Sequence, residues 1–379
     1  MTKAGRAVRA EWRLDPDFLT VNHGSFGATP VRVLAAQEDW RRRMEAQPTR
    51  FMSQLPEALR AAAVVLGGFL GARGQDLAFV ENATTGCNAV LRSLSFRPDD
   101  EILVLDHGYG AVRNTVRFVA ERAGAKMTEA MIPFPGAAPA GIVAAVAAAL
   151  TPRTRLAVVD HITSTSAMVV PVAEVAAVCR AAGVPMLVDG AHGPGQIGLD
   201  LPALGVDWYT GNCHKWLCAP KGSAFLWTSP ARQAAMHPVT ISHGLGQGYT
   251  REFDWTGTRD PSAVLSVPAA IAFHEVLGGT ALRDRNIALA AEAAALVARR
   301  LNTEALPGAA AMRLVRLPAA PGTLALAFRA RLLAAGTDAP VHAIGGALWL
   351  RLSAFAYNEL EDYARLADIV AGALREQTR

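Results

Sequence analysis

Two short segments of the sequence carry residues that could act on a carbonyl compound. Asp189 directly follows an apolar, strand-like run, and Lys215 lies further along in His214-Lys215-Trp216. A lysine that attacks a carbonyl needs a neutral amine, and burial beside other cationic groups lowers its pKa and supplies that state. An acid at the end of a strand could hold a heterocyclic nitrogen protonated. The two residues therefore predict a site that combines an amine nucleophile with a protonated heterocycle.

A Schiff-base lysine and an acidic partner for a pyridinium nitrogen are the two protein groups that a pyridoxal phosphate site requires. Taken alone, Lys215 could be a surface lysine and Asp189 a helix cap. The joint pattern favours the site, because Lys215 lies between His214 and Trp216 in a segment rich in bulky apolar residues and glycine. Such surroundings are unusual for a solvated lysine.

Two further segments could bind anions. Asn82-Ala83-Thr84-Thr85 follows a strand and opens a predicted helix, where exposed N–H groups attract anions. An ordinary N-cap by Asn82 or Thr84 is the alternative. Arg351 ends a predicted strand, and its guanidinium could hold a carboxylate with two parallel hydrogen bonds. The alternative, a surface arginine on an edge strand, is opposed by its apolar neighbours.

The elements that must position these residues form an alternating pattern in the middle of the chain. Short apolar runs alternating with helices predict a parallel sheet covered on both faces, with ligands bound beyond the carboxyl ends of its strands. Polar residues follow four of the strands and are candidates as a group. Strands are predicted at 77–80, 102–105, 156–159, 186–188 and 224–227, and helices at 86–94, 110–123, 140–150 and 171–182.

The two ends of the chain follow other patterns. Residues 1–30 are predicted to form an N-terminal arm, residues 31–260 a large α/β domain, and residues 261–379 a smaller α+β domain. Helical spacing begins the large domain at 31–45 and 56–70. In the smaller domain we expect helices at 285–301 and 358–375 and strands at 323–328 and 347–352.

Composition limits the class of protein. The chain has 379 residues, of which 51% are hydrophobic and 18% charged, so it has ample material for a large core. The net charge of +4 comes from scattered basic residues, and no nucleic-acid partner is expected. No signal peptide or membrane-spanning run is apparent, and the four cysteines match neither a disulfide framework nor a metal site. A cytoplasmic protein without a membrane partner is the expectation.

Taken in order, the motifs of the chain resemble the class V aminotransferase family of fold-type I pyridoxal-phosphate enzymes, and most closely its isopenicillin N epimerase-like branch. The resemblance covers nearly the whole chain and implies a mainly parallel central sheet covered by helices, a smaller C-terminal α+β domain, pyridoxal 5′-phosphate as cofactor and a homodimer with shared active sites. The motifs that carry it are residues 22–27, 82–85, 106–110, 160–164, 188–192, 214–216, 257–260 and 351–353.

The resemblance also implies roles for cofactor-binding residues. Lys215 would form the Schiff base and later move the Cα proton, Asp189 would pair with the pyridine nitrogen, and His192 would lie near the phenolic oxygen. Thr258 would reach the phosphate bound by the neighbouring subunit. The remaining phosphate contacts would come from Ala83, Thr84, Thr85, Asn212 and His214.

Other residues would contact the ring and the substrate. By its place His107 matches the residue that stacks on the cofactor ring, and Tyr109 is its rival. Arg351 would bind the substrate carboxylate and Arg259 the distal part of the substrate. The same pocket would be lined by Asn22, His23 and Ser25.

The implied reaction is an epimerisation at the α-carbon of an amino acid, with a C–S lyase or an aminotransferase as alternatives. No cysteine follows Cys218, so a mechanism that forms a persulfide on a late cysteine is not expected. A binding or assembly protein without turnover is the alternative from another class. The retention of Asp189, Lys215 and Arg351 argues against it, since such groups cluster at working sites.

Overall fold

The computed structural model describes residues 4–320 and 322–376, so the extreme ends of the predicted arm and of the predicted C-terminal domain lie outside it. The helices are α1 (Arg6–Arg9), α2 (His23–Phe26), α3 (Val31–Ala46), α4 (Pro48–Leu70), α5 (Ala83–Ser93), α6 (Gly110–Ala123), α7 (Pro139–Ala149), α8 (Val172–Ala181), α9 (Tyr249–Asp254), α10 (Ser262–Leu265), α11 (Val267–Leu277), α12 (Thr280–Arg300), α13 (Ala325–Ala334) and α14 (Leu360–Arg375). The strands are β1 (Leu19–Thr20), β2 (Leu77–Val80), β3 (Glu101–Leu105), β4 (Lys126–Ala130), β5 (Thr154–Asp160), β6 (Met186–Asp189), β7 (Trp208–Asn212), β8 (Ala224–Thr228), β9 (Met312–Arg316), β10 (Thr337–Asp338), β11 (Val341–Ile344) and β12 (Ala347–Ser353).

The centre of the molecule is a seven-stranded sheet with the order β2-β8-β7-β6-β5-β3-β4. Only β8 is antiparallel to its two neighbours, and the other pairings are parallel. Strands β2, β3, β6, β7 and β8 are buried along their whole length, and all of them except β7 have the nearly continuous apolar sequences expected of strands covered on both faces. The predicted α/β class with a mainly parallel sheet is confirmed.

Helices cover both faces of this sheet. One core includes Leu66 of α4 and Val175 of α8, and the core on the other face includes Val90 of α5 and Val116 of α6. Helix α4 begins eight residues before the predicted helix at 56–70, because the Gln47 side chain accepts hydrogen bonds from the first N–H groups and a proline occupies the first helical position.

The C-terminal part of the chain has its own core, built on the antiparallel sheet β11-β12-β9 and helices α12, α13 and α14. Strand β1 joins this part by pairing with β10. Helix α11 packs on α4 and belongs to the first core, and the predicted domain boundary at 260/261 stays a prediction. No single described helix is long and apolar enough to cross a membrane; Ser262–Leu277 and Thr280–Arg300 meet that test only as a pair bent by 70°.

The strand predicted at 323–328 is wrong, because this segment starts helix α13. Its alternating leucines suggested a strand, yet Leu324 and Leu326 are exposed while Phe328 and Leu332, four residues apart, are buried. A spacing of four gives a helix one buried face, and the Ala, Leu and Arg content supports that helix. The sequence patterns also missed strands β4, β7, β9 and β11.

Candidate active site

The largest cavity near the predicted site has a volume of about 620 Å³ and lies at the carboxyl ends of β3, β5, β6 and β7, beside the start of α5. This is where ligands bind in open α/β sheets. It brings together ten of the predicted site residues: Ser25, Ala83, Thr84, Thr85, Tyr109, Asp189, His192, Asn212, His214 and Lys215.

Lys215 and His192 form a hydrogen-bonded pair in the cavity. The Lys215 Nζ lies 3.2 Å from His192 Nε2, and the buried indole of Trp216 donates from Nε1 to His192 Nδ1 over 3.2 Å. Burial lowers the pKa of Lys215 to about 8; the charges of Asp189 and Asp160 raise it and that of Arg351 lowers it. Burial, together with the charges of Lys215 and Arg351, holds the pKa of His192 well below its ordinary value. Lys215 therefore carries a neutral amine in about one tenth of the molecules at pH 7, far more than an ordinary lysine does.

Asp189 and Asp160 are neighbours at the ends of the adjacent strands β6 and β5. Both are buried, and burial raises the pKa of each carboxyl, most strongly that of Asp160, where the charge of Asp189 adds to the effect. Among the described residues neither has a salt-bridge partner; Asp189 Oδ1 accepts the Ala191 N–H and Asp160 Oδ1 the Tyr109 N–H. A cationic group placed in the cavity against Asp189 would compensate its charge.

The loop that carries Asp189 and His192 rests on Tyr209 of β7. The Tyr209 hydroxyl is 3.0 Å from His161 Nδ1, and the ring is fully buried. A Cβ at Gly190 would lie 2.0 Å from Tyr209 Cζ, so only glycine lets the loop approach this closely. Tyr209 thus sets the height of the loop above the sheet.

The start of α5 carries the predicted phosphate site. Asn82 is the N-cap, and its Oδ1 accepts the Thr85 N–H at 2.9 Å. Asn212 Oδ1 accepts the Ala83 N–H at 2.8 Å. No described residue accepts the Thr84 N–H, so this group remains available to an anion.

The two polar residues beside Lys215, Asn212 and His214, both form hydrogen bonds within the protein. His214 donates from Nδ1 to the Ser223 carbonyl at 3.0 Å, and burial lowers the pKa of His214 to about 4. Asn212 is held by the Ala83 N–H. Both line the cavity, and their predicted contacts with a phosphate stay predictions.

Arg351 is a buried cation at the edge of the cavity. Its guanidinium donates to the Ser164 carbonyl, to Asn22 Oδ1 at 3.1 Å and to Ser25 Oγ at 2.9 Å, while the buried Nε has no partner in residues 4–320 and 322–376. Burial lowers the pKa of Arg351 to about 10. The nearest acid on this side, Asp338, forms an ion pair with another arginine. Ser25 and Ser164 line the cavity, and Arg351 lies directly behind them, hydrogen-bonded to both.

The two rivals for ring stacking are placed differently. Tyr109 lines the cavity and is 41% exposed, whereas His107 is buried, does not line it, and packs beside Phe134. The Asp160 carboxylate fixes Tyr109 by accepting its N–H. The geometry favours Tyr109 over His107.

Besides His107 and Arg351, four predicted residues do not line the cavity. His23 is buried, stacks on Phe355 and bonds Tyr357 and the Lys215 carbonyl through its two ring nitrogens, so it supports the lysine loop instead of lining the pocket. Thr258 is exposed, and Arg259 forms an ion pair with Glu81. Asn22 reaches the pocket only through Arg351 and Ser25.

Several lining residues were not singled out from the sequence. Asp160 and Ser164 belong to a motif that follows a strand, and that position was the available signal. Asn82 was considered only as a cap. Phe26, Ile162 and Ala191 lie within the motifs at 22–27, 160–164 and 188–192, whereas the sequence offered no signal for Asn88 and Val239.

A buried lysine with a lowered pKa, an uncompensated carboxylate at a strand end and an anion site at a helix start define an enzyme that binds an aldehyde cofactor carrying a phosphate. The sequence signature of the family described as Aminotransferase class-V matches residues 27–314. The chain belongs to this family. It is therefore a pyridoxal 5′-phosphate-dependent enzyme.

Relatives within this family carry two kinds of name. A protein of Arabidopsis thaliana called a probable chloroplastic L-cysteine desulfhydrase is 33% identical, over 96% of this chain and 84% of its own length. The isopenicillin N epimerase of Amycolatopsis lactamdurans is 35% identical, over 98% of both chains, and that of Streptomyces clavuligerus is 33% identical, over 95% of this chain and 96% of its own.

Solved structures confirm the fold. The cystine C–S lyase C-DES, in complex with its reaction product cysteine persulfide, superposes with a TM-score of 0.81 at 23% identity, covering 94% of this chain and 98% of that one. A cysteine desulfurase of Thermococcus onnurineus gives a TM-score of 0.83 at 16% identity over 99% of both chains.

The cavity fits pyridoxal phosphate. The buried Asp189 carboxylate lacks a cation that a protonated ring nitrogen would supply, and Lys215 offers the amine. The free N–H of Thr84 at the start of α5 offers a phosphate contact.

Proposed function

We propose that the enzyme cleaves the Cβ–S bond of a cysteine-type amino acid by β-elimination. The observation that carries this proposal is the Lys215–His192 pair, a single assembled proton-transfer unit in the described lining of the cavity. A β-elimination needs one group that removes the Cα proton and returns a proton to the leaving sulfur. An epimerisation needs proton donors on both faces of the α-carbon.

Arg351 binds and orients the substrate. Its unpartnered Nε and its neutral partners Ser25 and Asn22 leave room for charge-assisted hydrogen bonds to an α-carboxylate. A carboxylate held there fixes the position of Cα with respect to Lys215, whose pKa responds to the charge of Arg351. Such positioning converts an encounter into a reaction between fixed groups.

Pyridoxal phosphate would be held by Asp189 at the ring nitrogen, by Lys215 at the aldehyde carbon, by Thr84 at the phosphate and by Tyr109 against the ring. When bound, pyridoxal phosphate supplies an electron sink for the bonding pair released at Cα. Asp189 keeps a proton at the ring nitrogen, which strengthens that sink. Burial of Asp189 ensures that water does not screen the interaction.

Lys215 then performs the proton transfers. Its neutral amine removes the Cα proton, the Cβ–S bond breaks with its electron pair leaving on sulfur, and the lysine ammonium returns a proton to that sulfur. The protonated sulfur product is released together with an α,β-unsaturated amino acid, whose imine tautomer is hydrolysed by water to a keto acid and ammonia. His192 holds the amine in place between the two transfers.

The location of the cysteines supports direct release of the thiol. Cys87, Cys179, Cys213 and Cys218 are all buried, and none lines the cavity. Burial raises the pKa of the Cys179 thiol to about 11, far from the thiolate form that accepts sulfur. A persulfide carried on the protein is therefore not part of the proposal.

Epimerisation is the second candidate, and Tyr109 favours it. Tyr109 comes from the end of β3 and Lys215 from the end of β7, with β5 and β6 between them in the sheet, so the two side chains enter the cavity from opposite sides. A phenol there could serve as the second proton donor. Relatives named isopenicillin N epimerase add to this reading.

The test is proton NMR of the loaded enzyme in heavy water with L-cysteine, L-cystine and S-substituted cysteines. Release of pyruvate and ammonia, with hydrogen sulfide from L-cysteine, a persulfide from L-cystine or a thiol from an S-substituted cysteine, supports β-elimination. Lys215→Ala should lower the rate at least a thousandfold while Lys221→Ala, a nearby lysine bonded to a backbone carbonyl, retains it. Exchange of the Cα proton with racemisation and an intact carbon skeleton would support the epimerase instead. Keto acid that appears only with an amino acceptor would indicate transamination.

We also propose that two copies share their active sites. Support comes from Thr258, which is exposed and does not line the cavity of its own chain. Mixing inactive Lys215→Ala chains with inactive Thr258→Ala chains should restore part of the activity, because one of the two sites in the hybrid is intact. A monomer by light scattering would contradict this. The cytoplasmic location stays a prediction, since one relative named above is chloroplastic.

A further inference from the structure

Trp216 connects the lysine to the interior through a chain of two hydrogen bonds. Its indole Nε1–H donates to His192 Nδ1 at 3.2 Å, and His192 Nε2 lies 3.2 Å from Lys215 Nζ. Trp216 is 1% exposed and His192 is 2% exposed, so the bond between them is shielded from water, whereas the Lys215 amine lies in the lining of the cavity.

The proton positions in this chain follow from the chemistry of its groups. An indole nitrogen can only donate, so His192 Nδ1 must be an acceptor. A neutral imidazole then carries its proton on Nε2, the nitrogen that faces Lys215. An ammonium cannot accept a hydrogen bond, whereas a neutral amine can. In this arrangement the form of Lys215 that can accept the hydrogen bond from His192 is the uncharged amine.

We propose that Trp216 is a positioning residue that fixes the tautomer of His192 and thereby shifts Lys215 toward its uncharged amine. The inference rests on the proposed function in one respect, the role of Lys215 as base. Its test reads proton positions in the chain without cofactor, so it can fail while the proposed reaction stands.

The other charged groups around Lys215 show why such a device is needed. Asp189 and Asp160 face the amine and favour the ammonium, while Arg351 opposes it. His214, beside the lysine in sequence, is turned to the Ser223 carbonyl. If His192 could switch tautomer, its unprotonated Nε2 would accept a hydrogen bond from the Lys215 ammonium. Like the two carboxylates, it would then raise the pKa of Lys215.

The packing of Trp216 prevents the indole from turning away. A Cβ on Gly24 would lie 3.0 Å from Trp216 Cζ2, and the ring of Phe355 has its centroid 6.1 Å from that of the indole. The donor is therefore held toward His192 by the core.

The experiment compares Trp216→Phe with Trp227→Phe in the full chain. Both variants remove a buried indole N–H, but no described residue accepts that of Trp227, which makes it a matched control. Nitrogen-15 NMR of histidine-labelled protein, assigned with His192→Gln, should show the parent protonated at Nε2. The proton should move to Nδ1 in Trp216→Phe and stay in Trp227→Phe.

The second readout is the rate of Schiff-base formation with added pyridoxal 5′-phosphate as a function of pH, followed by absorbance. Trp216→Phe should raise the pH midpoint by about one unit and lower the rate at pH 7 about tenfold, with no deficit at pH 10. In a His192→Gln background the same substitution should add nothing. In turnover, kcat should fall while KM stays within about twofold.

A proton on Nδ1 in the parent overturns the proposal, and this measurement needs no variant to fold. An unchanged pH midpoint in a Trp216→Phe chain with a parental melting temperature also overturns it. An equal shift in Trp227→Phe would mean that any loss of core packing has the same effect, which excludes a specific role for the hydrogen bond.

Discussion

The two candidate anion-binding sites of the active-site cavity, at the start of α5 and at Arg351, differ in how far their polar groups are already paired within the protein. At the start of α5 the Asn82 and Asn212 side chains already occupy two backbone N–H groups, and only that of Thr84 is left. At the other end Arg351 buries a full positive charge against neutral oxygen atoms, and its Nε has no partner among the described residues. One end is a nearly satisfied neutral site, and the other is a cation without an anion.

This difference predicts where binding energy is gained. The start of α5 is already capped by protein side chains, so the empty protein is little destabilised there. A bound phosphate therefore adds little stability at this end. A buried guanidinium without a carboxylate destabilises the empty protein, which its lowered pKa of about 10 reflects. A substrate carboxylate removes that penalty when it binds, so the Arg351 end should dominate substrate recognition.

The largest effect is expected for Arg351→Leu. Loss of two charge-assisted hydrogen bonds, at about 2 kcal/mol each, should lower kcat/KM roughly a thousandfold. The free energy of unfolding of the cofactor-free chain should not fall, because an unpaired buried charge is removed. Steady-state kinetics and urea unfolding measure both quantities.

Arg313→Leu is the matched control for this prediction. Arg313 is also buried, its pKa is also lowered to about 10 by burial, and it donates to backbone carbonyls, but it lies outside the cavity. Its loss should leave KM close to the parental value. If Arg351→Leu changed KM and kcat no more than Arg313→Leu, the carboxylate assignment would be lost.

Lys215 extends the comparison, since it too is a cation that the empty protein holds unfavourably. Its pKa is about 8 in the folded chain and 10.5 for an ordinary lysine, so between these pH values the unfolded chain binds more protons and stability rises with pH. Below pH 8 the full penalty, up to about 3 kcal/mol, is present. Lys215→Met should therefore stabilise the cofactor-free chain at pH 6.5, with the gain shrinking toward pH 10.

Urea unfolding at the two pH values measures this gain. Lys126→Met serves as control, because Lys126 is an exposed lysine paired with Asp99 and should show no such pH dependence. A Lys215→Met chain less stable than the parent at pH 6.5 would mean that the ammonium is well compensated, and the neutral amine would have to be abandoned.

The sequence predicts the reactive pair better than it predicts the partners of that pair. Asp189 and Lys215 follow directly from their motifs, and the central sheet follows from alternating patterns. The choice between His107 and Tyr109 depends on the path of a loop that is tied to Asp160, a residue distant in the chain. The contact of Trp216 with His192 likewise joins two loops that only the fold brings together.

Errors in secondary structure have similar causes. Alternating leucines at 323–328 predict a strand, but burial of Phe328 and Leu332 in the C-terminal core decides for helix α13. Strand β7 contains a glycine and an asparagine, which are depleted in strands, yet its place between β6 and β8 provides partners for its backbone groups. Tertiary contacts override local preference in both segments.

The smallest effect is expected at the start of α5. Asn82→Ala removes the N-cap of α5 and should lower the free energy of unfolding by about 1 kcal/mol. The dissociation constant for pyridoxal phosphate should rise less than tenfold, because the Thr84 N–H and the helix dipole remain. Fluorescence titration with the cofactor and urea unfolding measure the two effects. A hundredfold loss of cofactor affinity without loss of stability would mean that Asn82 contacts the phosphate directly. The start of α5 would then resemble the Arg351 end, where ligand binding is favoured by groups that do not stabilise the empty protein.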